Sequence, residues 1–395
     1  MDGSVRRGAA YLLALGVLVA LAALGEYWLG VVTGHPIGQD FRIYFAALAD
    51  AASGVYDPYE PYREKFIYHP FGFSFISLFS WGHRWAPAYG SWLIGSGIAW
   101  IVAVLASVRA LADIDWPGVE DPIRTTFLLL AMLGFGPFLE LLHIGQINAF
   151  VVAVLLGAFL LAERGRELLA GGALAVAVLL KTTPLLFLPY FLAVRRYRVA
   201  ATAAVGLVAG TAVAAFQFSP SLLVEYAEIV PRLVGEHDVT LYNESYRSVV
   251  PLLSGRVGLG ALAPVFVNAV QFSGYALLAG LFAGHFLAAP DTRRTRTWLF
   301  MALVPPMVAL SPLVWYHHSV FLVLPVAALV LARPAAGIGV LLLLNAERAF
   351  EWFVAPVGVP VFAAHLFLVV AMALGYYRAV GAAGGFTLDE GLVRA

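Results

Sequence analysis

The side chains of this chain that could do chemistry lie at the ends of apolar segments. Asp40, in GQDFRIY (38–44), can accept a proton as a general base or cap the helix that follows it. His317 and His318 follow Trp315 and Tyr316 at the start of an apolar segment. They can present N–H groups to an anion, or belong to the aromatic belt of a membrane interface. The residues alone leave both choices open.

Two basic residues and two amides present similar alternatives. Lys181 ends a short apolar segment, where its amine could contact a phosphate or reach the interface. Arg247 could clamp a phosphate with two N–H groups, or be solvated. Gln146 and Asn148 follow His143, and amides suit sugar hydroxyls because each offers a donor and an acceptor. The same amides also serve as helix caps.

Glu140 lies in an apolar run, where a carboxylate is costly unless it is paired or lines water. It could be a second base or a partner of His143. Tyr44, Tyr68 and His69 could line a groove for a sugar acceptor. Aromatic residues are also expected at a membrane interface without any substrate.

The composition requires a membrane. Hydrophobic residues make up 61% of the 395 residues and charged residues 12%, with a mean hydropathy of +0.85. Such a chain cannot cover itself with a water-soluble surface. The absence of cysteine excludes disulfides, thiolate catalysis and cysteine metal sites. A net charge of zero gives no indication of a nucleic-acid partner.

Apolar runs predict an all-α polytopic membrane protein with about twelve transmembrane helices, since a span needs about 20 residues. Thr182, Thr183 and Pro184 separate a pair of short runs, which predicts broken helices buried among neighbours. No linker or internal repeat divides the chain, so residues 1–395 are expected to form one domain. The predicted spans are 11–33, 88–109, 124–141, 147–163, 167–181, 184–194, 198–217, 260–288, 297–311, 318–332, 335–349 and 360–378.

Basic residues predict the orientation, because arginine and lysine accumulate on the cytoplasmic side. With Arg6 and Arg7 inside, most other arginines also fall inside and both termini are cytoplasmic. Two outer loops result, 34–87 and 218–259, the second with a short helix. The polar residues described above then gather at the outer face. A signal peptide cleaved near residues 23–25 is an alternative for the N-terminus, and it would leave Asp40 outside as well.

Two segments of the first outer loop predict helices that lie on the membrane. In residues 41–53 one helical stripe carries Phe41, Tyr44, Phe45, Leu48 and Ala52. Residues 69–81 are too short to cross, begin near a proline and are followed by His83 and Arg84.

Four stretches together resemble a known family. They are GQDFRIYFAALADAASGVYDPY (38–59), the central block from His143 to Arg198 that begins HIGQINAF, YNESYRSVV (242–250) and SPLVWYHHSVFLVLPV (311–326). They resemble glycosyltransferase family 87, bacterial alpha-1,2-mannosyltransferases that use polyprenyl-phosphate mannose and look like GT-C type membrane enzymes. Two departures concern the acceptor more than the reaction: His69 where the family often has proline, and Asn243-Glu244-Ser245 for its usual Asn-Gln-Ser.

The resemblance implies a GT-C-like glycosyltransferase that moves mannose from polyprenyl-phosphate mannose to a lipid-linked or cell-envelope mannoside. The implied linkage is alpha-1,2, made with inversion on the outer face of the plasma membrane. Asp40 is then the general base. The residues predicted to hold the donor phosphate are Lys181, Arg247, His317 and His318. The residues predicted to hold sugar or acceptor are Tyr44, Tyr68, His69, Glu140, His143, Gln146, Asn148, Asn243 and Trp315.

No cofactor is expected, and no metal, because the first-loop motif has no D-x-D pair, the outer carboxylates are scattered, and a single phosphate can be held by protein cations. The expected partners are the polyprenyl-phosphate donor, a lipid-anchored glycan acceptor and the bilayer. Another polyprenyl-phosphate sugar transferase, such as an arabinofuranosyltransferase, is one alternative. A lipid-sugar flippase or secondary transporter is another, although it would favour internal repeats and charges at mid-membrane.

Overall fold

The computed structural model describes residues 37–53, 68–80, 84–235, 243–350 and 358–384, with Leu21 and Gly25 as isolated positions. The predicted first span, 11–33, lies outside these residues apart from those two positions. All the regular secondary structure of these described residues is helical. The α-helices are α1 (Gln39–Ser53), α2 (Phe71–Ser77), α3 (Trp85–Ala112), α4 (Pro122–Leu133), α5 (Gly136–Ile144), α6 (Asn148–Glu163), α7 (Glu167–Leu180), α8 (Phe187–Ala193), α9 (Tyr197–Gln217), α10 (Pro220–Gly235), α11 (Tyr246–Arg256), α12 (Ala263–Ala288), α13 (Arg293–Ala309), α14 (Val323–Ala332), α15 (Pro334–Phe350) and α16 (Gly358–Ala382).

The helices follow the predicted spans in order, and the chain is a helical membrane protein. Five are long and apolar enough to cross a membrane, and five apolar helices of 10–17 residues accompany them among the described residues. The figure of about twelve spans stays a prediction. The five long ones are Trp85–Ala112, Pro122–Ile144, which comprises α4 and α5 together, Tyr197–Gln217, Gly260–Ala288 and Val359–Ala382.

The helices are interrupted at two places, one predicted from the sequence and one not. The predicted break after residue 181 is present: α7 ends at Leu180, and a 3₁₀ turn (Thr183–Leu186) leads into α8. A second break, which the sequence analysis did not predict, separates α4 from α5 at Gly134 and Phe135. Pro137 lies in the first turn of α5. Proline is compatible with that position because a backbone N–H there would have no partner within the helix.

Small residues allow the central helices to pack closely. The helix α7 packs on α6 and α9, and α3 packs on α6. A Cβ on Gly171 of α7 would lie 2.6 Å from the carbonyl oxygen of Val199 in α9. A Cβ on Gly206 of α9 would lie 2.7 Å from the Ala175 Cβ. Membrane helices commonly use such residues, since lipid offers no hydrophobic drive for association.

The two helices predicted for the first outer loop are present, and both pack into the protein. Phe41 and Tyr44 of α1 are buried, as the stripe predicted, whereas Ala52 is exposed. The helix α2 covers only 71–77 of the predicted 69–81, and its Phe73 is buried. A fully buried tryptophan of α3, Trp92, contacts rings from α1, α2 and α6, with centroids 5.0–6.1 Å away.

The second outer loop is more helical than predicted. Instead of a loop with one short helix, it holds α10, of 16 residues, and α11, of 11 residues. The polar residues 236–242 between them lie outside the described residues.

Polar side chains form two clusters at opposite ends of the helices. Asn148 begins α6 and Glu163 ends it, and 16 helical residues extend about 24 Å. Around Glu163, Arg296 of α13 binds the carboxylate with two N–H···O bonds of 2.7 and 2.8 Å, and Arg293 pairs with Asp113. The cluster around Asn148 contains most of the predicted site residues.

Candidate functional site

Asp40 is placed by two glycines that bring α1 against α5. Gly38 adopts a left-handed φ of +65°, and its N–H donates to the His143 carbonyl over 2.7 Å. Gly145 ends α5 with φ +80°, where an added Cβ would lie 2.7 Å from the Phe41 Cβ. Since α1 begins at Gln39, Asp40 lies in the first helical turn and not at the cap position considered from sequence. A carboxylate there is still stabilised by the helix dipole.

Gln146 joins Asp40 to the neighbouring tyrosine. Its Nε2 donates to Asp40 Oδ2. Its Oε1 accepts from the Tyr68 hydroxyl over 2.9 Å and from the Ile147 backbone N–H over 3.2 Å. Because two donors already approach the oxygen, the amide can present only its nitrogen to Asp40. The carboxylate is therefore held in one orientation.

Tyr68 is in turn held by Tyr44. Their hydroxyl oxygens are 2.7 Å apart, and both rings are buried. Burial, followed by the nearby charge of Asp40, raises the pKa of Tyr68 well above its usual range. Tyr68 therefore keeps its proton, which it donates to Gln146, and Tyr44 donates to the Tyr68 oxygen. The chain Tyr44, Tyr68, Gln146, Asp40 has one direction of donation throughout.

The second half of the polar cluster surrounds Lys181. Its Nζ donates to Asn148 Oδ1 over 2.8 Å and lies 2.7 Å from His318 Nε2. Asn148, which is fully buried, places its Nδ2 3.4 Å from the His317 carbonyl oxygen. Lys181 occupies the break between α7 and the following 3₁₀ turn, so its amine reaches the start of α6. The structure brings Lys181, Asn148, His317 and His318 together.

The residues before His317 are held by the loop that precedes α11. The Glu244 N–H donates to the Val314 carbonyl over 2.7 Å, and Asn243 Oδ1 accepts from the Val314 N–H over 3.1 Å. Trp315 contributes its backbone N–H, which donates to His318 Nδ1 over 3.2 Å. The described bonds of Asn243 thus go to backbone groups. His317 is 6% exposed, and its Nε2 has no hydrogen-bond partner among the described residues.

Glu244 is a residue that the sequence analysis did not place in the site. It is 1% exposed and lies directly between Asn243 and Ser245, both buried. The sequence signal for it is a carboxylate inside an otherwise neutral polar run, YNESY. A buried carboxylate is costly unless it interacts with other groups, which makes its position informative.

The described contacts of the remaining predicted residues do not involve Asp40 or Lys181. His69 accepts at Nδ1 from the Phe71 N–H, and its Nε2 is 3.3 Å from the Thr211 hydroxyl of α9. Burial lowers the pKa of His69 to about 4. Arg247 donates from Nε to the Tyr246 hydroxyl over 3.0 Å. Glu140 and His143 are half-buried and lie one turn apart on α5, and the His143 carbonyl anchors Gly38.

The described residues contain no group of three or more histidine or acidic side chains that could hold a metal ion. Metal independence stays a prediction. The cluster presents two functional groups near the start of α6. The Asp40 carboxylate is held by the Gln146 amide, and the Lys181 amine is held by the Asn148 amide. Chemically, such a carboxylate can accept a proton, and such a basic group can bind an anion.

Comparison with known proteins identifies the family. No curated protein matches this chain. Residues 66–312, more than half of the chain, match glycosyltransferase family 87. The match covers α2 to α13 and includes Gln146, Asn148 and Lys181; Asp40 and the histidine pair lie outside it. The chain belongs to glycosyltransferase family 87 and is a membrane enzyme that transfers a glycosyl group.

Proposed function

We propose that this enzyme moves mannose from polyprenyl-phosphate mannose to a lipid-linked or cell-envelope mannoside, forming an alpha-1,2 linkage with inversion. The observation that carries the proposal is the pair of amides at the start of α6. Gln146 holds Asp40, and Asn148 holds Lys181. A proton acceptor and a phosphate-binding group are thereby supported by the same helix terminus.

In the proposed reaction Asp40 accepts the proton of the acceptor hydroxyl while that oxygen bonds to C1 of mannose. The bond between C1 and the phosphate oxygen breaks, and the polyprenyl phosphate leaves with the electron pair. Lys181, His317 and His318, with Arg247, stabilise the charge on the leaving phosphate. Attack on the face opposite the phosphate converts a beta-linked donor into an alpha-linked product.

The same contacts support roles for the two amides in binding sugar. Each amide nitrogen carries two hydrogens, and each of the described bonds uses one. Gln146 and Asn148 can therefore each direct one further N–H to a sugar hydroxyl without releasing Asp40 or Lys181. Tyr44, Tyr68, His69, Glu140, His143, Asn243 and Trp315 complete the proposed surroundings of the sugars.

We place this site at the outer face of the plasma membrane, in a GT-C-like fold of about twelve spans with cytoplasmic termini. The arginines at the opposite end of the helices support that orientation, since basic residues favour the cytoplasmic side. Reporters fused after residue 60 and residue 240 should read outside, and a reporter after residue 294 should read inside. A cytoplasmic reading at residue 60 would contradict a site shared by Asp40 and the other residues.

The reaction is tested with purified protein, labelled polyprenyl-phosphate mannose and extracted lipid glycans. We expect a mannosylated lipid to form without a nucleotide sugar. An alpha-1,2-specific mannosidase should then release the added mannose from this product. Polyprenyl-phosphate arabinofuranose serves as the competing donor in a parallel reaction. Transfer of arabinose but not mannose would show that the donor is a polyprenyl-phosphate arabinofuranose. Movement of label across liposome membranes without a new glycosidic bond would contradict the whole proposal.

A further inference from the structure

The hydrogen bonds around His318 determine which of its ring nitrogens carries the hydrogen. The Trp315 backbone N–H donates to Nδ1 over 3.2 Å, so Nδ1 must offer a lone pair. A neutral imidazole has one N–H and one bare nitrogen, and a doubly protonated ring has no bare nitrogen at all. His318 is therefore neutral, with its hydrogen on Nε2.

That hydrogen points to Lys181. Nε2 of His318 lies 2.7 Å from Nζ of Lys181, a hydrogen-bond distance. An ammonium group has three N–H bonds and no lone pair, so it would place hydrogen against hydrogen at this contact. An uncharged amine has a lone pair and can accept from Nε2. The contact is satisfied only when Lys181 is an amine.

Asn148 on the other side of Lys181 agrees with this polarity. Its Nδ2 faces the His317 carbonyl oxygen, 3.4 Å away, and a carbonyl can only accept. Its Oδ1 consequently faces Lys181 Nζ, 2.8 Å away, and must receive a hydrogen. Lys181 thus accepts from His318 and donates to Asn148. Only the uncharged amine can do both.

The charges around the pair are compatible with an amine. Among the described residues no carboxylate lies within ion-pair distance of Lys181. Asp40 of α1 and His317 act on it electrostatically from farther away. His365 of α16 acts electrostatically on His318 and lies 2.9 Å from the Ser319 hydroxyl. The helix α6 contributes only the neutral Asn148.

We infer that Lys181 is an uncharged amine in the free protein near neutral pH and takes up one proton when the phosphodiester of the sugar donor binds. This inference rests on the proposed function for its second half. The proton comes from solvent and forms an N–H bond on Nζ, and no bond of the donor breaks in this step. The ammonium then pairs with a phosphate oxygen, and the Nε2–H of His318 is released to donate to the same anion. Lys181 thereby acquires its charge together with its ligand.

The chain offers an unusually clean test, because it contains only two lysines, Lys65 and Lys181. Protein labelled with ¹⁵N-lysine and carrying Lys65→Arg has a single side-chain nitrogen signal. Lys181→Arg leaves only Lys65 and assigns the other signal. At pH 7.5 we expect the Lys181 signal in the amine region of the spectrum. An ammonium signal in the free protein would overturn the inference.

The histidine state is measured in the same way. In ¹⁵N-histidine-labelled protein, the difference between the parent and His318→Gln identifies the His318 ring. We expect a protonated Nε2 and a bare Nδ1. A doubly protonated ring, or a hydrogen on Nδ1, would contradict the hydrogen-bond polarity on which the inference depends.

Proton uptake is tested by adding polyprenyl-phosphate mannose without acceptor to the Lys65→Arg protein. This probe is a phosphodiester, so it does not itself titrate near neutral pH. We expect the amine signal to be replaced by an ammonium signal as the probe saturates, and an amine that persists at saturation would overturn the uptake. Product formation in the separate transfer assay tests the proposed function, and the spectrum of the free protein is independent of both results.

Discussion

Gln146 and Asn148 lie two residues apart at the start of α6, and each holds one polar side chain of the site. Gln146 donates to Asp40, and Asn148 accepts from Lys181. Both amides are buried. Gln146 Oε1 also accepts from Tyr68, and Asn148 Nδ2 also faces the His317 carbonyl, so neither amide can flip without losing a bond. The distance between the proposed base and the proposed phosphate ligand is therefore set by one helix terminus, which suits a reaction that depends on orientation.

Replacing Asp40 by Asn tests the general base. Asparagine keeps the size of the side chain but cannot accept the acceptor proton. We expect turnover to fall roughly 10²–10⁴-fold, the usual range for general base catalysis, with melting temperature and donor binding near those of the parent. Asp50→Asn on the same helix is the matched control and should retain activity. Activity of Asp40→Asn within about threefold of the parent would remove Asp40 from the mechanism.

Tyr68 is predicted to act by positioning, since it reaches Asp40 only through Gln146. Tyr68→Phe removes the hydrogen bond that orients the amide, so the carboxylate loses its fixed donor. We expect kcat to fall by about tenfold with the donor KM within about twofold, because misplacement affects the reaction more than binding. Tyr44→Phe, one bond farther away, should have a smaller effect. Equal losses in Tyr68→Phe and in the control Tyr275→Phe, whose side chain is exposed, would indicate general destabilisation instead.

The sequence was sufficient for the order of the helices and for grouping some residues of the candidate site. Apolar length predicts spans well because lipid requires every backbone group to be bonded within the helix. Gln146 and Asn148 could be grouped because they are neighbours in one segment. Lys181 and His318, which are 137 residues apart, could be assigned to one face but not to one contact. Their pairing depends on how α7 breaks and how the 3₁₀ segment Tyr316–Leu322 packs, which are tertiary properties.

Other features were missed because they depend on packing between distant segments. The helix α2 is shorter than its apolar run, and its Phe75 ring contacts Trp92 and Phe150. Nothing in the local pattern of residues 69–81 specifies those partners. The direction of the Gln146 amide, likewise, depends on Tyr68, 78 residues away. Glu244 could not be assigned from the sequence, because only its burial in the folded protein indicates that it belongs to the structure around the site.

Arg247 is predicted to bind the donor phosphate. Its Nε donates to the Tyr246 hydroxyl over 3.0 Å, a contact with the neighbouring residue at the start of α11. Arg247→Ala should raise the apparent donor KM about tenfold or more, since a hydrogen bond to a charged group contributes about 1.5–3 kcal/mol. Arg256→Ala, an exposed arginine at the end of the same helix, is the control. An unchanged donor KM in Arg247→Ala would show that Arg247 does not bind the donor phosphate.

The ion pairs at the opposite end of the helices are predicted to stabilise the fold without affecting catalysis. The Glu163 and Arg296 side chains are 3% and 9% exposed, so removing Arg296 leaves the buried Glu163 with only its longer, 3.7 Å contact to Arg293. Arg296→Met should lower the free energy of unfolding by roughly 3–5 kcal/mol, and adding Glu163→Gln should recover some of that loss. Arg198→Met removes an exposed arginine from a weaker pair and should cost about 1 kcal/mol or less. Unfolding in SDS measures the stabilities, and activity per folded molecule should stay unchanged; a double variant less stable than Arg296→Met would contradict the buried-charge argument.

His69 is predicted to make the stability of the protein depend on pH. Burial lowers its folded-state pKa to about 4, whereas an unfolded histidine has a pKa of about 6.5. Between these values the unfolded chain binds more protons than the folded chain, so the contribution of His69 is fully present above about pH 6.5 and is lost as the pH falls toward 4. The neutral ring agrees with its contacts, since Nδ1 accepts from the Phe71 N–H and Nε2 is left to donate to Thr211. His69→Gln cannot take up a proton, so its melting temperature should decline less than that of the parent between pH 7.5 and 4.5. Parallel declines for the two proteins would show that His69 is as easily protonated in the folded state as in the unfolded one.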